Sequence, residues 1–332
     1  MKPSNLGNML ATFAMVCFLA TSLGIHAEEA ESAGPQDGSI VEKSACSLMP
    51  EIREKVLARV PQVAEFIDSN KTYAMTYMSD GLKVKGYLVI PPGEGPFPCL
   101  ICNRGGNREF GAISDPDAIV WLGKYASWGY IVVASNYRGV AGGEGMEEFG
   151  GAEIDDVLNL IPLLESIPQA DTTRIGMWGG SRGGLMTYIA LRKTDRIRGA
   201  VVAAGLSDSF MMIKDRPEME TGVIAELVPD YEANKEAALL ARSPVRWANE
   251  LCKTTPLLVF QGSGDWRVNP EEALEMADAL LAAKHPFRFI LFEGADHGLT
   301  EFRSEEDRIT RDFLDHYVRD MAPLPDLEPH GR

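Results

Sequence analysis

Two hydrophobic rhythms divide the chain. From Tyr73 to Ser79 and from Leu82 to Ile90 apolar and polar side chains alternate, the period of a half-buried strand, and Asp80-Gly81 between them favours a tight hairpin. After Pro96 the rhythm changes to short, almost wholly apolar runs separated by helical periodicity, as expected for parallel strands covered on both faces. Strands are predicted near Cys99–Asn103, Ile131–Ser135, Ile175–Trp178, Ala200–Ala203, Leu257–Gln261 and Phe289–Phe292. Helices are predicted over Ile119–Trp128, Glu153–Ser166, Leu185–Lys193, Glu271–Ala283 and Glu305–Asp320, with an earlier amphipathic helix over Pro50–Asp68. This alternation implies an α/β fold, a mostly parallel, doubly wound sheet opened by antiparallel N-terminal strands.

Punctuation refines the map. Asn269-Pro270 suits an N-cap and first helical position, and Ser304 with Asp307 resembles a capping box. Residues 28 to 44, rich in Glu, Ser, Ala and Gly, read as a flexible part of a lead-in reaching residue 70; a body spans 71–322, and 323–332 form a tail. Within the body, 205–252 is longer than a usual connection and predicts a lid-like insertion over one end of the sheet. Ahead of all this, Lys2, the apolar run Met9–Leu23 and small residues up to Ala27 precede Glu28-Glu29, the layout of a secretory signal peptide over 1–27. The run is short for a bilayer span and no second one follows, so no stable membrane insertion is expected. Cys17 follows Val16 rather than a small residue, which argues against a lipid anchor. A soluble, secreted or periplasmic protein cleaved after Ala27 is the expectation.

Composition narrows the function classes. At 332 residues, 45% hydrophobic and 24% charged, the chain is ordinary globular material. Its net charge of -16, from 48 acidic and 32 basic residues with no cationic stripe, excludes nucleic acid as an expected partner. Cys46, Cys99, Cys102 and Cys252 would remain after export, and four cysteines allow three connectivities. Cys99 and Cys102 point to opposite faces of one strand and read as buried thiols, while a Cys46 to Cys252 bridge stays open.

The chemistry lies in three loops. Strand Arg174–Trp178 runs into Gly179-Gly180-Ser181-Arg182-Gly183-Gly184 and then a helix, the strand-turn-helix setting of a G-x-S-x-G nucleophile elbow. Ser181 would sit strained at the apex, with Gly179 and Gly183 letting strand and helix close together, and the N–H of Arg182 would face a developing oxyanion. Of five histidines, His26 lies in the leader, His330 in the tail, His316 on a charged helix and His285 before Pro286. His297, in Gly294-Ala295-Asp296-His297-Gly298 after a strand, is left as the base at the carboxyl end of the sheet. Asp265, in the loop after Leu257–Gln261, completes the chain order serine, acid, histidine and would hold the imidazole; Asp208, also at a strand end, is the alternative. Asn103-Arg104-Gly105-Gly106-Asn107-Arg108 occupies the loop that supplies a second oxyanion donor, with Arg104 and Gly105 as candidates. Tyr137, Arg138, Trp266 and Arg267 adjoin these loops and are candidates for the pocket wall. Asp155-Asp156 has no accompanying His or Cys cluster, so neither a metal nor another cofactor is implied.

In these residues the chain resembles the catalytic domain of the prolyl oligopeptidase family, within the α/β-hydrolase fold. The matching stretches are Asn136-Tyr137-Arg138-Gly139, Arg174 through Gly184, Gly264 through Pro270 and Gly294 through Gly298, spread across most of residues 97 to 320. The resemblance implies a Ser181–Asp265–His297 triad and hydrolysis of short peptides, often after proline. The family usually places a β-propeller before this domain, and the stretch ahead of residue 73 is too short to hold one. Arg104 and Arg182 stand where the family often has tyrosines. Stand-alone domains of this appearance also include esterases and deacetylases of small or sugar esters. The expected activity is therefore acyl-bond hydrolysis through an acyl-enzyme on a small peptide or ester, with a binding protein on a hydrolase fold as the remote alternative. No pattern speaks to oligomeric state.

Overall fold

A computed structural model describes residues 34–331. The signal segment 1–27, the cleavage point after Ala27, and His26 lie outside the described residues, as does the start of the lead-in.

Nine strands form one sheet: β1 (Ile40–Ala45), β2 (Lys71–Ser79), β3 (Leu82–Ile90), β4 (Phe97–Asn103), β5 (Ile131–Ser135), β6 (Ala170–Gly180), β7 (Ile197–Ala203), β8 (Leu257–Gly262) and β9 (Phe287–Phe292). Their spatial order is β1-β2-β3-β5-β4-β6-β7-β8-β9. β1, β2, β3 and β5 pair antiparallel, and β5, β4, β6, β7, β8 and β9 pair parallel. The hairpin turns on Asp80 and Gly81, both with positive φ, 51° and 75°. That geometry matches the right-handed twist of the strands it joins.

Continuous apolar strands arise because both faces are covered. On β8, Leu257 and Val259 enter one core cluster while Leu258 and Phe260 enter the other. Cys99 and Cys102 on β4 divide the same way, and burial raises both thiols well above their ordinary range. Cys46 and Cys252 are free, so the bridge left open between them is absent.

Four local expectations are corrected. The lead-in contains β1, whose side chains are exposed apart from a half-buried Ile40, so an edge strand carries no apolar alternation to betray it. The first helix stops at Arg59, and Pro61 begins a separate 3-10 turn (Pro61–Glu65). The segment after Glu153 is two helices, Ile154–Leu158 and Leu160–Glu165; Pro162 has no N–H to continue a ladder from the first. The C-terminal helix begins at Arg303, leaving Ser304 inside its first turn rather than at the cap. Asn269, by contrast, caps its helix by accepting the Glu271 N–H at 3.0 Å.

Because β4, β6, β7, β8 and β9 run the same way, the loops after Asn103, Gly180, Ala203, Gly262 and Phe292 open on one edge. Between β7 and β8 the chain is helical, with Ser209–Asp215, Tyr231–Ala241 and shorter turns. Among the described residues no helix is long and apolar enough to cross a membrane.

Candidate active site

The elbow is set by crowding. A Cβ on Gly179 would strike the carbonyl of Gly183, and one on Gly183 would strike the carbonyl of Asn103. Gly184 meets Gly205 Cα at 2.6 Å by the same test. Only glycine lets β6, the following helix and the β4 loop approach this closely. Ser181 takes φ 56° and ψ -125°, strained for a side-chain-bearing residue. Its backbone is held by its N–H to Ala203 O at 3.0 Å, and its carbonyl accepts from Gly184 and Leu206 at 2.9 and 3.1 Å. Arg182 is the first residue of the helix Arg182–Lys193, so its N–H has no acceptor within that helix.

His297 and Asp265 meet across 32 residues, Nδ1 to Oδ2 at 2.8 Å. The other oxygen, Oδ1, accepts the backbone N–H of Arg267 and Val268 at 2.8 and 3.1 Å, and Gln261 Nε2 donates to Oδ2 at 3.1 Å. Burial by itself would raise this carboxyl, but the bonds from His297, Val268 and Arg267 hold it below its ordinary value. Asp265 is therefore an anion in place to orient an imidazole. Asp208, the alternative acid, is committed elsewhere: it caps the helix Ser209–Asp215 and pairs with Arg246 at 2.8 Å. His285 is buried against Thr255 O, His316 meets Tyr317 edge to face and His330 bonds Glu328 O.

Two cavities meet at Ser181 and His297, one of about 220 Å³ and one of about 260 Å³. The first is walled by Arg182, Arg267 and Phe149, and by Met212, Arg216 and Met219 from the helical stretch after β7. Gly105 borders both, and a Cβ there would lie 3.2 Å from Ser181 Cβ. The Gly105–Gly106 backbone thus passes directly over the nucleophile.

The candidate residues separate on this geometry. Ser181, Asp265, His297, Gly105 and Arg182 come together, and Arg267 lines the first cavity. Tyr137, Arg138 and Trp266 are corrections. Tyr137 has φ 66°, which turns its ring beneath the site; it is fully buried and its hydroxyl donates to Arg104 O at 3.0 Å. Arg138 is bound by Asp156 and Asp80 and borders a different cavity. Trp266 is 70% exposed; it does not line the first cavity itself, and its ring lies against Arg216 and Arg267 of that wall at 5.6 and 5.2 Å. Arg104 borders the second cavity beside Gly105, and its guanidinium is taken up by the carbonyls of Gly105, Phe110, Arg108 and Asn136.

What the sequence reading missed is a buried charge cluster under the Gly105–Gly106 loop. Arg182 donates to Gly106 O at 3.0 Å and to Glu147 at 2.7 Å, and also pairs with Glu153. Glu147 additionally accepts the Arg108 N–H and faces Arg104 at 3.5 Å. Both guanidinium groups lie over the Tyr137 ring, at 4.8 and 5.0 Å. Burial would raise the Glu153 carboxyl, yet Arg182 and backbone N–H groups hold it below its ordinary value. The signal was present as two of the four glutamates in the glycine-rich stretch from Ala141 to Glu153, but nothing local says which of them meet an arginine, or which arginine.

Sheet, elbow and paired acid and histidine define a serine hydrolase of the α/β-hydrolase class. The model of the prolyl oligopeptidase family matches residues 118–321, and the chain belongs to that family. It is similar to the "Uncharacterized peptidase YtmA" of Bacillus subtilis, 28% identical over 217 residues, covering 65% of this chain and 82% of that protein. To the "Uncharacterized peptidase YuxL" of the same organism it is 30% identical over 246 residues, 70% of this chain but 36% of that one. Among solved structures, Pyrococcus horikoshii acylaminoacyl peptidase superposes with a TM-score of 0.66 at 21% identity, over 80% of this chain and 45% of its own. The chain thus spans less than half of those two longer proteins.

Proposed function

We propose that this chain hydrolyses a peptide-type acyl bond of a small substrate, with Ser181 as nucleophile, His297 as general base and acid, and Asp265 as the group that orients His297. The observation that carries this reading is the 2.8 Å His297–Asp265 contact beside a strained Ser181 that shares two cavities with His297. Ser181 Oγ adds to the carbonyl carbon while its proton passes to His297 Nε2. The oxyanion is received by the Arg182 N–H and by the Gly105–Gly106 backbone. Collapse breaks the bond to the leaving group, which takes the proton from His297, and water then releases the acyl group by the same route in reverse roles. The amide bond is favoured over a simple ester because the similar proteins carry peptidase names. In the same reading, residues 205–252 cover the acyl side as a lid, and 1–27 export the protein to the periplasm or the outside.

A fluorophosphonate probe is expected to label the wild type and not Ser181→Ala; equal labelling of both refutes the assignment. A panel of proline-containing peptide anilides and acetyl esters then separates peptidase from esterase, and turnover confined to esters reverses the substrate choice. N-terminal sequencing of the exported protein tests the leader, with Glu28 as the expected first residue.

A further inference from the structure

Resting on Ser181 as nucleophile, we propose that the second cavity is the leaving-group site and that it selects a leaving group bearing an aromatic ring. Its walls are Trp121 and Trp178, edge to face with ring centroids 5.5 Å apart and planes at 69°. Ala203 and Leu299 close it, and the half-exposed rings are what a substrate group there would touch.

The cavity is built by three independent backbone devices. Trp121 projects from a π-turn, Ala118–Leu122, a rare helical form concentrated at functional sites. Gly180, beside the nucleophile, leaves Trp178 its place, since a Cβ there would lie 2.8 Å from Trp178 Cη2. Leu299 is buried with φ 50°, a left-handed conformation unusual for a branched apolar residue, and its turn is held by Arg303 Nη2 donating to Gly298 O at 2.7 Å.

Which half of the substrate enters follows from the proton. His297 hands its proton to the departing atom, so the leaving group lies on the histidine side of the scissile carbon. His297 borders both cavities, but Gly298 and Leu299, the residues that follow it, wall this one alone, whereas Arg182 and the methionines from beyond β7 wall the other, where the acyl chain belongs. The charged residues of its wall are Arg303 and Glu306, which face each other at 3.9 Å, and Arg104, whose guanidinium is taken up by backbone carbonyls; apart from Ser181 and His297, the rest is aromatic, apolar or glycine. Such a surface rewards a ring that meets tryptophan edge to face or offset, rather than an ion. By microscopic reversibility the same cavity receives an incoming amine: its nitrogen attacks the Ser181 ester, the amide bond forms, the Ser181 C–O bond breaks, and the amine proton returns through His297 to Ser181 Oγ.

The test uses the full chain and peptide substrates sharing one acyl group, with phenylalanine amide or alanine amide as the leaving amine. The wild type is expected to favour the phenylalanine amide by about tenfold or more in kcat/KM. Trp121→Ala is expected to bring that ratio within about twofold, and Trp121→Phe to keep most of it. Single-turnover deacylation of the common acyl-enzyme is expected to be unchanged in both variants, because the leaving group has already departed. A wild type without preference, or a Trp121→Ala variant that slows deacylation and both substrates alike, overturns the assignment. Failure of the fluorophosphonate probe to label Ser181 overturns the nucleophile and the cavity together; labelling with no leaving-group preference overturns the cavity alone.

Discussion

The two sides of Ser181 are built from opposite materials. Beneath the Gly105–Gly106 loop, Arg104, Arg182, Glu147 and Glu153 are all at most 2% exposed and bond one another or backbone carbonyls. On the far side, His297 sits in a loop tied by exposed groups: Asp296 accepts from Gly298 and Thr300, and Arg303 reaches Gly298 O. The difference follows from what each side does. In the proposed mechanism, donors to a developing oxyanion act only if they are fixed before the charge appears, and a buried ion-paired cluster fixes them. A histidine that serves both nucleophile and leaving group needs one oriented carboxylate and open space, and His297 has both.

Breaking the histidine side at its one buried link is expected to give the largest effect. Asp265→Asn should lower kcat by about 10⁴-fold with the fold intact by circular dichroism, since the wrong imidazole tautomer would face Ser181. A loss below about tenfold would show that this side does not depend on the pair.

On the oxyanion side, Arg182→Ala should cost about 10²–10³-fold in kcat, comparable with losing one oxyanion donor. It should also lower unfolding stability by about 3–5 kcal/mol, because Glu153 is left buried without its ion-pair partner and Glu147 keeps only Arg104. Denaturant unfolding beside steady-state kinetics separates the two losses. If stability falls and kcat of the folded fraction holds, the cluster is structural only.

The exposed support of the histidine loop should matter least to catalysis. Arg303→Ala is expected to change kcat by under about tenfold and stability by at most about 0.5 kcal/mol. A larger kinetic loss would mean that the loop depends on its surface contacts.

The pH dependence of stability sharpens the contrast in buried charge. Glu272 is 1% exposed and has no ion-pair partner among the described residues; burial pushes its carboxyl up from 4.5 to about 8, opposed by the N–H groups of Ser207 and Asp208. Between those values the native state keeps a proton that the unfolded chain has released, so this contribution to stability falls as pH rises from 4.5 to about 8. Glu272→Gln should flatten that part of the stability curve, and a wild-type slope retained in the variant would assign it to other groups.

The hairpin, the parallel strands and the elbow were legible because each is written within about ten residues, as a period or a glycine spacing. β1 was not, since an exposed edge strand has the composition of a linker. The pocket wall was read too much by proximity in sequence. Tyr137 and Trp266 adjoin the right loops, but a positive φ at the first turns its ring under the site, and the second faces solvent. Phe149, Met212, Arg216 and Met219 do line the first cavity; the length of 205–252 marked the segment that holds the last three, but no local pattern marked the residues themselves.

By itself the sequence determined the fold class, the strained serine and the single histidine suited to act as base. These follow from local sterics and from elimination among five histidines. Only the tertiary structure decided that Asp265 rather than Asp208 meets His297, and that Arg182 joins Glu147 and Glu153 beneath the Gly105–Gly106 loop. It alone placed Trp121 opposite Trp178. Those pairs join segments tens of residues apart, and their meeting depends on how strands and helices pack, which no short stretch of chain encodes.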